Sequence, residues 1–212
     1  MVSPVAGPVS APIAAVVFDI GRVLFEWDLR RLFAKLIADK SELEWFVTHV
    51  VSDEWHFQHD AGRDLAEMVA ERSAEFPAHA HLIAAYAARF NESVPGPVAG
   101  SLELVEALYA RGVPLYAITN FGAGFWPGFR AVQPIFERFR DIVVSGVEKI
   151  AKPDSQIYAL AAQRFGHEPG AMLFIDDNAA NVAAAQACGW QVHHFTGAEG
   201  LADRLRGAGL IG

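Results

Sequence analysis

Four short runs of mostly apolar residues stand out along the chain, and each has the length of a strand. They lie at residues 13–18 (IAAVVF), 115–119 (LYAIT), 141–145 (DIVVS) and 171–175 (AMLFI). Runs of this kind, without regular polar alternation, are typical of strands buried on both faces of a parallel sheet. They predict an α/β fold with a Rossmann-like parallel sheet at its core.

Apolar residues at helical spacing predict the elements between these strands. The predicted core helices span residues 101–111, 154–165, 178–188 and 198–206. Residues 29–95 show only helical patterns: a capping-box start at Ser41, and two further helices at residues 61–75 and 78–90.

The interruption of the strand–helix alternation predicts how the chain is divided. We expect an all-helical cap domain at residues 29–95, inserted into a core formed by residues 13–28 and 96–212. The Pro-Gly-Pro sequence at 95–97 marks the return to the core. Residues 1–12 are rich in Pro, Ala and Val, and we interpret them as a flexible leader.

Polar residues are placed where the predicted strands end. They are Asp19, Thr119 with Asn120, and Asp176 with Asp177, while Lys152 stands just before Pro153. Ligands of open α/β sheets bind outside the carboxyl ends of the strands. If the runs are neighbouring parallel strands, we expect these side chains to meet in one cleft.

Side chains of these types in one cleft favour phosphoryl transfer. The Asp19 carboxylate is suited to attack phosphorus and form an aspartyl-phosphate. Mg²⁺, bound by Asp19 and Asp177, and by Asp176 directly or through water, would neutralise the approaching anions. Lys152 would supply a positive charge to phosphate and nucleophile.

Two further groups complete the predicted phosphate site. We expect Thr119 and the backbone amide of Asn120 to donate hydrogen bonds to the phosphoryl oxygens, with Lys152 beside them.

The same stretches carry a resemblance to a known family. VVFDIGRVLFEWD, ITN, AKPDSQIY and FIDDNAANVAAAQACG resemble, in order and spacing, the four motifs of the haloacid dehalogenase-like superfamily. The likeness extends over nearly the whole chain and is greatest to the members with a cap after the first motif, among the sugar-phosphate phosphatases. It implies a Rossmann-like core, an aspartyl nucleophile and Mg²⁺.

One position departs from the pattern of that superfamily. Most of its phosphatases carry a second Asp two residues after the nucleophile as general acid–base, whereas this chain has Gly21. The carbonyl of Gly21 can still bind Mg²⁺, but it cannot transfer a proton. The enzyme is therefore expected to be slow, to recruit another acid such as His56 or His59, or to prefer leaving groups such as acyl or anomeric phosphates.

Two other functions fit part of the pattern. A 2-haloacid dehalogenase would use the same Asp19 to attack carbon, and its departing halide needs no proton. That chemistry needs no metal, however, and the adjacent Asp176 and Asp177 raise each other's pKa unless a cation lies between them. A catalytically inactive binding module is the other alternative, supported only by the missing acid.

Composition restricts partners and location. Asp and Glu number 25 against 17 Lys and Arg, a net charge of −8, so no basic face for nucleic acid is expected. No apolar run is long enough for a membrane span or a signal peptide, and the single cysteine, Cys188, fits a reducing compartment. We expect a cytoplasmic monomer or homodimer that binds a small phosphorylated substrate.

Several aromatic and basic residues are candidates for the pocket around the substrate. His59 and Arg63 of the predicted cap are the residues that we would test first for specificity. Phe125 and Trp126, in the glycine-containing loop after the second motif, fit either the rim of a pocket or ordinary packing.

Overall fold

The core of the protein is one parallel sheet. A computed structural model describes residues 11–212 and places five strands in the order β3-β2-β1-β4-β5. The strands are β1 (Ala15–Phe18), β2 (Leu115–Thr119), β3 (Asp141–Val144), β4 (Met172–Asp176) and β5 (Gln191–His194). Every neighbouring pair is parallel, and β1 lies in the centre between β2 and β4.

Between β1 and residue 101, the regular elements of the chain are all helices. They are α1 (Leu29–Phe33), α2 (Lys40–His49), α3 (Asp53–Asp60), α4 (Leu65–Glu75) and α5 (Ala80–Arg89). We call residues 29–95 the helical insert. Its 3₁₀ turns are Pro77–His79 and Phe90–Ser93.

The remaining helices belong to the core. They are α6 (Ser101–Ala110), α7 (Trp126–Ala131), α8 (Ser145–Glu148), α9 (Ser155–Phe165), α10 (Ala179–Ala187) and α11 (Ala198–Gly207). Two 3₁₀ turns, Pro134–Arg138 and Pro169–Ala171, lead into β3 and β4.

Two apolar layers enclose the sheet. One face packs in a cluster that includes Tyr158, Phe174 and Trp190, and the other face joins a larger cluster that continues into the helical insert. The side chains of β1, β2 and β4 are buried on both faces, which explains why these strands have no polar alternation.

The predicted fold class and four of the strands are confirmed, but the fifth strand was missed. β5 has the sequence QVHH, and its residues are only partly buried or exposed. It pairs on one side only, at the edge of the sheet, so nothing requires a continuous apolar run there.

The predicted starts of two insert helices were wrong, because in each case an aspartate at another position caps the helix. The capping box at Ser41 is not the start of α2: Asp39 Oδ1 accepts a hydrogen bond from the Glu42 amide at 2.8 Å. Asp64 Oδ1 likewise accepts from the Glu67 amide at 3.0 Å, so the helix predicted from residue 61 begins at Leu65.

Of the predicted leader at residues 1–12, only residues 11 and 12 fall in the described part. Within residues 11–212, the helices all lack the length and apolar character needed to cross a bilayer.

Close packing joins the start of α8 to the loop after β2. Ser145 Oγ accepts from the Phe121 amide at 3.0 Å and donates to the Asp60 carbonyl at 2.5 Å, linking this loop to the helical insert. At Gly146, an added Cβ would lie 2.5 Å from the Ala123 nitrogen and 2.7 Å from the Phe121 oxygen.

We therefore predict that Gly146→Ala destabilises the protein by about 1–3 kcal/mol, since backbone atoms would have to move. Gly200→Ala is the control, because Gly200 is also helical and an added Cβ there meets no atom within 4 Å. It should be neutral or stabilising. Urea unfolding measures both variants, and equal stability of the two would contradict the described packing.

Candidate active site

The order of the strands brings the predicted residues to one edge of the sheet. Asp19 follows the central strand β1, and its amide donates to the Ile175 carbonyl of β4 at 2.8 Å. Thr119 ends β2, and Asp176 ends β4. These three residues therefore lie at the carboxyl ends of three neighbouring parallel strands.

Lys152 joins two of these carboxylates. Its Nζ lies 2.8 Å from Asp19 Oδ1 and 2.7 Å from Asp176 Oδ2, and it donates to the Ile118 carbonyl at 2.9 Å. The side chain is only 1% exposed. Two hydrogen bonds, to Ile118 and Asp176, and the ion pair with Asp19 therefore hold the ammonium group by charge and by geometry.

Asp176 is held by further donors besides Lys152. The Asn178 amide donates to Oδ1 at 2.8 Å, and Asn181 Nδ2 lies 3.1 Å from both carboxylate oxygens. The Asn178 side chain caps α10 by accepting a hydrogen bond from the Ala180 amide. Asp176 is thus a fully buried carboxylate whose orientation is determined by its neighbours.

Asp177 completes an acidic cluster with Asp19 and Asp176. One carboxylate oxygen from each of the three residues lies within 4.8 Å of the others. Asp177 is only half-buried, in contrast to the other two. Three carboxylates against the one ammonium of Lys152 leave an excess of two negative charges when all are ionised, and a divalent cation would compensate it.

The environment of Asp19 disfavours its charge. Burial raises the pKa of Asp19 from 3.8 to about 7, against the opposing effect of Lys152, and the charges of Asp176 and Asp177 add to the increase. Additional positive charge at this site, beyond that of Lys152, would therefore favour the ionised form of Asp19.

The charges at this site also shift the pKa values of Lys152 and Asp177. Burial lowers the pKa of Lys152, but the charges of Asp176 and Asp19 outweigh burial, so the pKa is raised and the ammonium stays protonated. Burial and the charge of Asp176 raise the pKa of Asp177, while Arg22 and Lys152 act in the opposite direction.

Thr119 and Asn120 take different positions. Thr119 Oγ1 is buried and has no hydrogen-bond partner in the described part of the chain. The Asn120 side chain instead pairs with the backbone of Lys152: Nδ2 donates to its carbonyl and Oδ1 accepts from its amide, both at 2.9 Å. This side chain therefore positions Lys152, while phosphate binding by the Asn120 amide stays a prediction.

A cavity of about 270 Å³ opens next to Asp19. Core residues line one side, among them Gly21, Asn120, Lys152 and Asp177. The helical insert lines the other side, so both parts of the fold contribute to one pocket. Much of the wall is aromatic; the rings belong to Phe25, Trp27, Phe57, Phe90, Phe121 and Phe129.

The structure does not bring His59 and Arg63, the residues predicted first for specificity, to this cavity wall. His59 packs against the loop after β2: its Nε2 accepts from the Gly124 amide at 3.2 Å, and a Cβ at Gly122 would lie 2.0 Å from its ring. Arg63 pairs with Gln58 and Glu71 on the surface of the insert. Both residues support the insert rather than contact the cavity.

Other residues on the cavity wall were missed or only partly anticipated. His56, considered as a substitute acid, lies on the wall, and so does Asp60, which no sequence pattern singled out. Asn181 was missed as well, although it lies one turn after Asn178, on the first turn of α10. Phe125 and Trp126 are buried packing residues away from the wall.

The family is established by a family model. The model of the haloacid dehalogenase-like hydrolases matches residues 13–189. The chain therefore belongs to the haloacid dehalogenase-like hydrolase family, and the predicted membership is confirmed.

Two curated relatives represent both chemistries considered from the sequence. Sesquiterpene phosphatase astK of Aspergillus oryzae is 26% identical over 202 residues, which cover 91% of this chain and 94% of that protein. The (S)-2-haloacid dehalogenase of Pseudomonas putida is 30% identical over 112 residues, but these cover only 51% of this chain and 48% of that protein.

Solved structures share the fold. A HAD family enzyme of Bacteroides thetaiotaomicron superimposes with a TM-score of 0.71 at 22% identity, covering 92% of this chain and all of that one. The same enzyme has been solved with magnesium and inorganic phosphate. L-2-haloacid dehalogenase of Xanthobacter autotrophicus gives a TM-score of 0.62 at 18% identity, over 94% of this chain and 85% of that one.

The contacts of Lys152 predict a large effect on stability. Lys152→Met leaves Asp19 and Asp176 buried without their cation, and we expect a loss of about 3–5 kcal/mol in the free energy of unfolding. Lys40→Met removes an exposed lysine and should change little. Denaturant unfolding without added metal measures both, and equal stability of the two variants would contradict the described ion pairs.

Proposed function

We propose that the protein is a Mg²⁺-dependent phosphatase of a small phosphorylated metabolite, acting through an aspartyl-phosphate on Asp19. The observation that carries this proposal is the acidic cluster of Asp19, Asp176 and Asp177 around the buried ammonium of Lys152. Membership of the hydrolase family and the phosphatase relative support it.

Asp19 is the nucleophile in this proposal. One carboxylate oxygen attacks phosphorus, the bond from phosphorus to the leaving oxygen breaks, and an aspartyl-phosphate forms. Lys152 holds Asp19 through Oδ1 at 2.8 Å and places its positive charge where the phosphoryl group becomes more negative. Water then attacks phosphorus, the bond to Asp19 breaks, and inorganic phosphate leaves.

The residues present fit a magnesium ion. Mg²⁺ prefers oxygen ligands and is commonly held by one or two carboxylates together with substrate phosphate. Asp19 and Asp177 would bind it directly and the Gly21 carbonyl would add a ligand, while Asp176 is already engaged by Lys152 and Asn181. The bound ion would supply the charge that lets two anions approach.

Thr119 supports phosphate binding. Its buried hydroxyl has unused hydrogen-bonding capacity at the end of the strand next to β1, and an unpaired buried polar group needs an explanation. A phosphoryl oxygen provides one. In the same proposal the Asn120 amide donates to that group, and the Asn120 side chain keeps Lys152 in place.

The cavity wall guides the choice of substrate. The sequence suggested a sugar phosphate or an acyl phosphate, and the six aromatic rings of the wall offer an apolar surface to the carbon part of the substrate. We therefore favour a phosphate whose carbon part is mostly apolar. The relative that is named a sesquiterpene phosphatase supports this choice.

A 2-haloacid dehalogenase is the second candidate. Gly21 favours it, because a departing halide needs no proton, and a dehalogenase is among the relatives. The three clustered carboxylates argue against a dehalogenase. Attack on carbon needs no metal ion, so the negative charge of the cluster would have no purpose in that reaction. An inactive binding module remains as a third outcome of the same test.

We expect the wild-type protein to release inorganic phosphate from acetyl phosphate or an alkyl phosphate with Mg²⁺, and to lose this activity in EDTA. Asp19→Asn should bring turnover below about 1% of wild type, because its amide is a poor nucleophile. Phosphate and chloride assays on phosphate esters and 2-chloropropionate measure both reactions. A sugar phosphate of similar size tests the preference for apolar substrates.

Chloride release that persists in EDTA would contradict the phosphatase and favour the dehalogenase. Binding of Mg²⁺ and phosphate without turnover of any substrate would favour the binding module. Phosphatase activity retained by Asp19→Asn would remove Asp19 as nucleophile.

The raised pKa of Asp19 predicts that Mg²⁺ binding depends on pH. A proton on Asp19 must leave before the ion binds, so with a pKa of about 7 the affinity should be roughly tenfold weaker at pH 6 than at pH 8. Isothermal titration calorimetry measures the affinity and the released protons. Equal affinity at both pH values would contradict direct binding by Asp19, and Asp177→Asn should bind weakly at both.

A further inference from the structure

Two close polar contacts connect three residues of the helical insert. His56 Nδ1 lies 2.6 Å from the Tyr86 hydroxyl, and His56 Nε2 lies 3.3 Å from Asp60 Oδ2. All three side chains are buried. The imidazole ring is stacked between the rings of Trp27, at 5.0 Å, and Phe90, at 5.3 Å, so its orientation is fixed.

The chemistry of these groups sets the direction of the hydrogen bonds. Burial raises the pKa of Tyr86 well above 10, so the phenol keeps its proton and donates to His56 Nδ1. Because Nδ1 accepts this hydrogen bond, the ring hydrogen is on Nε2, the nitrogen that lies 3.3 Å from Asp60 Oδ2. Tyr86 and His56 therefore orient the Asp60 carboxyl group.

The second oxygen of Asp60, Oδ1, is buried and has unused hydrogen-bonding capacity. Asp60 is 6% exposed, and its Oδ1 has no hydrogen-bond partner in the described part of the chain. Asp60 and His56 both line the cavity that holds Asp19. The Asp60 carbonyl accepts from Ser145 Oγ at 2.5 Å, which ties this residue to the core next to the end of β2.

On the core side of the cavity, the position two residues after the nucleophile has no acidic side chain. Gly21 lines the cavity, and a Cβ added there would meet no atom within 4 Å. A side chain at position 21 would therefore have space beside the nucleophile, and glycine provides none. The Asp60 carboxyl group lines the same cavity from the helical insert, and its Oδ1 is a buried oxygen with unused hydrogen-bonding capacity.

We propose that Asp60 is the general acid–base of the reaction, oriented by His56 and Tyr86. This inference rests on the proposed phosphatase function. In the first step Asp60 acts as a carboxylic acid and carries the proton that it donates. As the bond from phosphorus to the leaving oxygen breaks, the electron pair goes to that oxygen, which takes the proton from Asp60.

The second step restores the starting state. The Asp60 carboxylate takes a proton from water as the water oxygen attacks the phosphorus of the aspartyl-phosphate. The bond between phosphorus and Asp19 breaks, phosphate forms, and Asp60 is protonated again. In this scheme Asp60 is a catalytic residue, and His56 and Tyr86 are positioning residues.

The dependence on the leaving group tests this role. An alkyl phosphate needs a proton on its leaving oxygen, whereas acetyl phosphate does not. Asp60→Asn should lower kcat/KM for the alkyl phosphate by about 10²–10⁴-fold and leave kcat/KM for acetyl phosphate nearly unchanged. The ratio kcat/KM reports the steps up to departure of the leaving group, so it is insensitive to loss of the base in the second step.

Two further variants separate catalysis from folding. Glu54→Gln changes an exposed carboxylate of the same helix and should leave both substrates unaffected. Gly21→Asp in the Asp60→Asn background should restore alkyl phosphate hydrolysis, because it places a carboxyl group in the open space beside Asp19. A misfolded variant would show neither selective loss nor selective rescue.

The outcomes distinguish this role from the function on which it rests. Selective loss of alkyl phosphate hydrolysis, with rescue, supports Asp60 as the acid. An equal loss for both substrates, or no loss, would overturn this role while the phosphatase function stands. A wild-type protein that hydrolyses neither substrate would overturn the phosphatase function, and this role with it.

Discussion

The ammonium of Lys152 determines how the carboxyl edge of the sheet is built. It contacts Asp19, Asp176 and the Ile118 carbonyl at 2.7–2.9 Å, and so joins the ends of three neighbouring strands. Two buried carboxylates would repel each other without it. The same arrangement leaves Asp19 short of positive charge, with a pKa raised to about 7, so the site favours a further cation.

Much of this site follows from the sequence, because strand ends are readable from apolar runs that stop at polar residues. Asp19, Thr119 and Asp176 were predicted together for that reason, and the structure places them on adjacent strands. The different tasks of the adjacent Asp176 and Asp177 were not predictable. They depend on the donors around each carboxylate, including Asn181, which belongs to the next helix.

The contribution of the helical insert was harder to predict from the sequence. His56 and His59 stand three residues apart on α3 and look equivalent, yet His56 lines the cavity and His59 packs against the loop at Gly122. The rotation of α3 about its axis decides this, and contacts distant in sequence fix that rotation. The role of Asp60 also depends on Tyr86, which belongs to another helix.

The central claim is that Asp19, held by Lys152, carries the phosphoryl group during turnover. Rapid acid quenching during hydrolysis of acetyl phosphate, followed by peptide mass spectrometry, tests it most directly. The account predicts one added phosphoryl group on the peptide that contains Asp19 in the wild-type protein, and none in Asp19→Asn. Steady phosphate release with the phosphoryl group absent from Asp19, or bound to another residue, would contradict it.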